Sequence, residues 1–111
     1  MLVSGSEDWS IKIWELQTGA HVQSICVHQL GVCAVAWLPN VYDDSFEMGW
    51  IASGSGDQSI VIFDLDSKQT VKSLRGHTGP VHSLLWVEEK GWLVSGSTDT
   101  TVRTWRVRSE V

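Results

Sequence analysis

Short apolar runs alternate with polar turns along the whole chain. "VCAVAW" and "VHSLLW" are apolar-rich, while "WIASGS" and "WLVSGS" each follow a glycine and end in a turn. "SIKIWEL", "SIVIFDL" and "TVRTWRV" carry period-2 features and β-branched residues, the pattern of strands with one face turned inward. "AHVQSICV" and "QTVKSLR" alternate more loosely and are more polar. No segment holds a long 3.6-residue stripe, so essentially no helix is expected. Pro39 to Gly49 is the one stretch where a short helical turn fits. The pattern predicts four strands in each unit of about 42 residues.

The units are copies of one phrase. "GSEDWSIKIW" begins at Gly5, "GSGDQSIVIF" at Gly54 and "GSTDTTVRTW" at Gly96. Asp8 to Asp57 is 49 residues and Asp57 to Asp99 is 42, and the closing aromatics Trp14, Phe63 and Trp105 move in step. Trp14 to His28 and Phe63 to His77 are both 14, and His28 to Trp37 and His77 to Trp86 are both 9. The seven-residue difference therefore lies after Trp37, where "LPNVYDDSFEMGWIA" stands against "VEEKGWLV". One unit has taken an insertion in one loop, and every other interval is kept.

Composition adds limits. Hydrophobic residues are 42% of the 111 and charged residues 19%, a globular rather than a disordered balance. No apolar run approaches the roughly 18 residues of a membrane helix. The N-terminus carries no signal-peptide pattern. An intracellular setting, cytoplasmic or nuclear, and no membrane partner are expected. Net charge is −5, which argues against nucleic acid as the main partner. Seven tryptophans point to large buried rings that also hydrogen-bond. His21, Cys26, His28 and Cys33 lack the tight C-x₂-C pair of a structural zinc site, so no metal is expected and the cysteines are read as two reduced, partly buried thiols. There is no phosphate loop, no H-E-x-x-H and no dinucleotide fingerprint, so no cofactor is expected.

These phrases resemble the WD-repeat family of β-propellers. Gly76-His77 is similar to the family's Gly-His signature, and "SGSTDTTVRTW" to its strand–turn–strand signature, with Trp105-Arg106 at the place of the Trp-Asp pair. Trp14-Glu15 and Phe63-Asp64 hold that place in the other copies. The departures are Val27 for Gly before His28, Phe63 for Trp, and Glu15 and Arg106 for Asp. The resemblance implies an all-β propeller fragment of about two and a half to three four-stranded antiparallel blades, each with strands a to d running outward. Residues 1–27 are then a partial first blade, with b over 2–6, c over 11–16 and d over 21–27. Residues 28–75 are the second blade, with strands over 32–38, 50–55, 59–65 and 70–74 and the a–b insertion at 39–49. Residues 76–111 are the third blade, with strands over 81–87, 92–97 and 101–107 and a short tail. Trp50 and Trp92, and likewise Trp37 and Trp86, hold matching positions and are read as packing residues.

The resemblance also implies a buried hydrogen-bond chain in each blade. The third blade carries His77, Asp99, Ser95 and Trp105. The second retains His28, Asp57 and Ser53, but Phe63 has no N–H, so Ser53 should end a chain of three. The first has Ser4, Asp8 and Trp14, and its histidine would precede Met1. Ser, His and Asp also spell a hydrolase triad. A nucleophile, however, needs an exposed oxygen and an oxyanion hole. This set recurs, ends on tryptophan and should be internal, so the reading is structural and not enzymatic.

Three partial blades cannot close a ring of 4–8. The chain is expected to be part of a longer propeller that supplies the remaining blades. Met1 is not read as a true start, and the polar "RSEV" suits the parent's C-terminus. The functional expectation is a protein-interaction scaffold in a multiprotein complex, binding proteins or peptides. The alternative is a substrate receptor or peptide reader, such as a ubiquitin-ligase adaptor or modified-peptide reader, with an enzyme-linked regulatory domain a distant third. The d–a loops and b–c turns share one face, which should display Glu7, Trp9, Gln29, Leu30, Gln58, Thr78 and Thr98. Trp9 replaces Gln58 and Thr100 of the other copies and is either a partner anchor or a cover for a neighbouring turn. On the opposite face, Tyr42, Asp43, Asp44 and Phe46 of the insertion form either a contact for a basic partner or a solvated variable loop.

Overall fold

The computed structural model describes residues 2–5, 8–15, 17–26, 28, 30–38, 49–65 and 67–107. Ten strands appear: β1 (Leu2–Gly5), β2 (Ile11–Trp14), β3 (His21–Ile25), β4 (Val32–Leu38), β5 (Trp50–Ser55), β6 (Ile60–Asp64), β7 (Gln69–Leu74), β8 (Val81–Val87), β9 (Trp92–Ser97) and β10 (Val102–Arg106). Everything else among the described residues is turn or irregular. The short-helix expectation falls on residues 39–48, which lie outside the described residues.

The strands form three antiparallel meanders in chain order. They are β1-β2-β3, β4-β5-β6-β7 and β8-β9-β10. The chain is all-β, a partial propeller of three blades. Strand identity follows from neighbours in sequence, because each short turn returns the chain beside the strand it has just left. Several expected strand ends differ: Glu15, Cys26, Leu65 and Val107 lie beyond the strands expected to hold them, and Gln69 opens β7 one residue early. Ser59 and Thr101 lie just outside β6 and β10, because their hydroxyls and amides hydrogen-bond Asp57 and Asp99 in the turn.

Blades stack face to face through two apolar layers. Ile11, Ile13, Ile25, Val32, Ile51, Phe63 and Leu65 fill the first, with Trp37 packed against it. Leu38, Ala52, Ile60, Ile62, Val81, Leu93 and Val107 fill the second, with Trp50, Trp86 and Trp105 at its margin. The central strands β5 and β6 are buried almost throughout, while the outer strand β7 is nearly all exposed. This matches the apolar sequence of β6 and the polar sequence of β7.

The glycines of the first two "SGS" phrases set how closely the blades approach. A Cβ on Gly5 would stand 2.6 Å from Val32 Cγ1, and one on Gly54 would stand 2.6 Å from Val81 Cγ1. Both distances are below contact, so the blade spacing requires glycine there. The two cysteines depart from expectation, since both are free and exposed rather than partly buried. Cys33 sits where the β4–β5 register slips between Val32 and Ala34, which leaves it unpaired in the ladder. Cys26 follows the end of the outer strand β3.

Candidate functional site

The repeated phrase builds variants of one polar core in the three sheets, complete in the third. The indole of Trp105 can only donate, so its Nε1–H gives a 2.8 Å bond to Ser95 Oγ. On its other side Ser95 Oγ lies 2.7 Å from His77 Nε2. The Asp99 carboxylate can only accept, so His77 carries a hydrogen on Nδ1, which faces Asp99 Oδ2 at 2.9 Å, and Nε2 takes the Ser95 hydroxyl hydrogen. The His77 and Ser95 side chains are buried, at 5% and 0% exposed. The direction of the chain follows from its carboxylate end, and the indole adds a donor at the other.

Asp99 is held from several sides. Thr78 N–H donates to Oδ2 at 3.0 Å, and Thr101 N–H donates to Oδ1 at 2.9 Å. The Thr101 hydroxyl donates to Oδ1 as well. These bonds hold the carboxyl well below the usual carboxylate range. The Thr101 hydroxyl is the largest cause, followed after an opposing desolvation by the Thr78 amide, His77 and the Thr101 amide.

The second sheet repeats the frame without the indole. His28 Nδ1 lies 3.1 Å from Asp57 Oδ2, and His28 Nε2 lies 2.7 Å from Ser53 Oγ. Phe63 offers no N–H and buries its ring in the first apolar layer at 7% exposed. Ser53 Oγ has a further, long approach to Val61 O at 3.5 Å. In the first sheet Trp14 Nε1 donates to Ser4 Oγ at 3.0 Å. Its Asp8 Oδ1 accepts the amide of Ser10 at 3.0 Å and the Ser10 hydroxyl, and Lys12 lies 3.8 Å from Oδ2.

Two sets of hydroxyls were missed by the sequence reading. Ser10, Ser59 and Thr101 each clasp the turn aspartate two residues before them. The signal was present as D-x-[ST] in "DWS", "DQS" and "DTT". Ser55 and Ser97 bind the turn from the strand side. Ser97 Oγ accepts Asp99 N–H at 3.1 Å and donates to Gly79 O at 3.1 Å, while Ser55 Oγ accepts Asp57 N–H and donates to Gly31 O at 2.9 Å. Two serines flanking one glycine in "SGS" therefore have separate partners, one inside the blade and one in the turn.

Of the expected display residues, Glu7, Gln29, Tyr42, Asp43, Asp44 and Phe46 lie outside the described residues. Trp9, Leu30, Gln58, Thr78 and Thr98 are all exposed. Trp9 is 51% exposed and Leu30 is 48% exposed. Among the described residues, no three His, Cys, Asp or Glu side chains gather as a metal site would require.

The model of the WD domain, G-beta repeat, matches residues 1–15, 19–64 and 68–106. The chain belongs to the WD40 repeat family. Its WD40 repeats are 33% identical over 106 residues to the DENN domain and WD repeat-containing protein SCD1 of Arabidopsis thaliana, a match over 96% of this chain and 8% of that protein. They are 36% identical over 107 residues to the phospholipase A-2-activating protein of Xenopus laevis, over 93% of this chain and 13% of that one. The crystal structure of RRP9 WD40 repeats superposes with a TM-score of 0.79 at 25% identity, covering 95% of this chain and 30% of that one. The chain thus spans a small part of each relative's length.

Within these WD40 repeats, one turn position has unusual backbone geometry. Trp9, Gln58 and Thr100 follow the three turn aspartates and have φ of 76°, 74° and 73°. A bulky residue costs roughly 1–2 kcal/mol in this left-handed region. The same backbone recurs with three different side chains, so the turn itself does not call for tryptophan.

Proposed function

We propose that this chain forms part of a WD40 platform that holds proteins together, with the d–a loops and b–c turns as its contact face. The observation that carries the reading is how the polar groups are divided. The residues that repeat are consumed by internal hydrogen bonds, and the exposed positions beside them differ from blade to blade. A rigid frame with variable turns suits recognition, because binding groups then sit on fixed supports. The relatives' names, a DENN-domain protein, a phospholipase activator and a nuclear distribution protein, point to different processes on one fold. Burial supports a non-catalytic role. Ser95 Oγ has no exposure and already receives the indole proton, so it cannot approach a substrate.

The test uses the full chain purified from its native cells under mild conditions. The combined variant Leu30→Ser, Gln58→Ala and Thr98→Ala should release the protein from its assembly on gel filtration, with an unchanged melting curve. The matched variant Glu88→Ala, Glu89→Ala and Lys90→Ala, in the β8–β9 turn at the opposite end of the sheet, should leave the assembly intact. A protein that elutes alone, or an assembly that survives the first variant, would overturn the reading.

A further inference from the structure

The seam between the second and third blades is cationic at its outer rim, where the matching positions of the first seam are uncharged. Ile62 pairs with Lys72 and Ile60 with Leu74, so Lys72 and Leu74 share the face of the second blade that meets the third. From the other side, β10 turns Arg103 and Trp105 toward the connection that leaves β7. A Cβ on Gly76 would stand 3.2 Å from Arg103 Nη1 and 3.2 Å from Trp105 Cη2. Arg75 adjoins Gly76 in the chain. Lys72, Arg75 and Arg103 are exposed, while Leu74 and Trp105 are half-buried against the apolar layer between the blades. Three cations thus rim an apolar strip made by Leu74 and Trp105.

The fold does not require these charges. Counting back by the repeat, Gln23 and Cys26 stand in the first seam where Lys72 and Arg75 stand in the second, and Val61 stands where Arg103 does. The registers agree, since Ile13 pairs with Gln23 as Ile62 pairs with Lys72. The chain also leaves the cations without an acid of their own. Among the described residues, none of the three forms an ion pair. Lys12, at the position of Arg103 in the first blade, lies against Asp8. Asp99, the corresponding acid of the third blade, has its oxygens taken by Thr78, Thr101 and His77. Asp64 stands at the far end of the β6–β7 ladder, opposite Gln69.

Cations gathered without an acid favour an anionic occupant, and the strip between them favours an aliphatic side chain. We propose that the outer rim of the second seam seats an acidic, extended segment of a partner protein. Its carboxylates meet Lys72, Arg75 and Arg103, and an intervening aliphatic side chain rests on Leu74 and Trp105. This inference depends on the platform reading above and names the chemistry of one partner contact.

The probe is a fluorescein-labelled ten-residue peptide of alternating glutamate and leucine. It is compared with its lysine-for-glutamate counterpart and with a ten-nucleotide single-stranded RNA. Fluorescence anisotropy with the full chain at physiological salt reads the affinities, and the glutamate peptide should bind most tightly. Lys72→Gln with Arg103→Val copies Gln23 and Val61 of the first seam, so it should melt as the parent does and bind that peptide about tenfold more weakly. Lys68→Gln with Lys90→Gln removes as much charge from turns at the other end of the sheets and should leave the affinity unchanged. If the seam variant lowers the melting temperature, Lys72→Gln with Arg75→Gln is read in its place. The proposal is overturned if the seam variant binds as the parent does, if the two pairs of substitutions weaken binding equally, if the lysine peptide or the RNA binds as tightly, or if the parent binds no glutamate peptide. Should the Leu30, Gln58 and Thr98 variant still dissolve the native assembly while peptide binding ignores the seam, this inference fails and the platform reading stands.

Discussion

The second and third blades hold the same three polar side chains in the same geometry and differ by one N–H. In the third, Trp105 feeds a proton to Ser95, Ser95 to His77 and His77 to Asp99. In the second, Ser53, His28 and Asp57 stand at almost the same separations, with Phe63 where the indole would be. The frame therefore forms without the tryptophan. What the indole adds is one more donor, which fills a lone pair of Ser95 Oγ. Ser53 Oγ has Phe63 in place of that donor, and its single hydrogen faces His28 Nε2 at 2.7 Å with Val61 O a long 3.5 Å away.

Several substitutions would break or sharpen this contrast. His77→Ala removes the shared partner of Ser95 and Asp99 and should cost about 3 kcal/mol, read as a lowered melting temperature of the full chain. An unchanged melting curve would sink the structural role. Ser95→Ala leaves both His77 Nε2 and the Trp105 N–H unpaired, whereas Ser53→Ala leaves only His28 Nε2. Urea denaturation should give roughly 3 kcal/mol for the first and roughly 1.5 for the second. Equal losses would mean that the indole bond carries no weight.

Acid should separate Asp99→Asn from the parent. The folded pKa of Asp99 is depressed, so its contribution is complete above the unfolded value of about 3.9 and is lost as pH falls toward the folded one. The parent's stability advantage over Asp99→Asn should therefore shrink below about pH 4 and stay flat above about pH 5. An advantage that grows on acidification would contradict the assignment. Phe63→Trp should have the smallest effect, within about 1 kcal/mol. A new bond to Ser53 worth about 1 is set against overpacking of a full apolar layer. A loss well beyond that range would show that the second blade cannot take the donor at all.

Much of this arrangement was legible in the chain. The strand order and the spacing of Asp, His, Ser and Trp are periodic, and periodic features survive without coordinates. Burial was less legible. Ile60 and Val102 hold the same position in β6 and β10, yet one is fully buried and the other 74% exposed. Pattern reports which residues can face a neighbour, and only the assembled sheets show whether a neighbour covers them. The clasping hydroxyls of Ser59 and Thr101 fall inside the expected strands, because hydroxyl and β-branched side chains also suit strands, and Ser10 falls just before one. The exposure of Cys33 follows from a register slip, which no hydrophobic count reports. Trp9 was visible as an odd residue at a repeated position, but the left-handed backbone that makes it costly is a property of the folded turn.

Ser95 is the joint between the indole and the histidine. A double-mutant cycle of Ser95→Ala with Trp105→Phe, by urea denaturation of the full chain, measures that joint directly. The predicted result is a coupling of about 1 kcal/mol or more, with Ser95→Ala costing in the phenylalanine background what Ser53→Ala costs in the parent. Strictly additive losses would contradict it, since they would mean that Ser95 and Trp105 stabilise the blade independently.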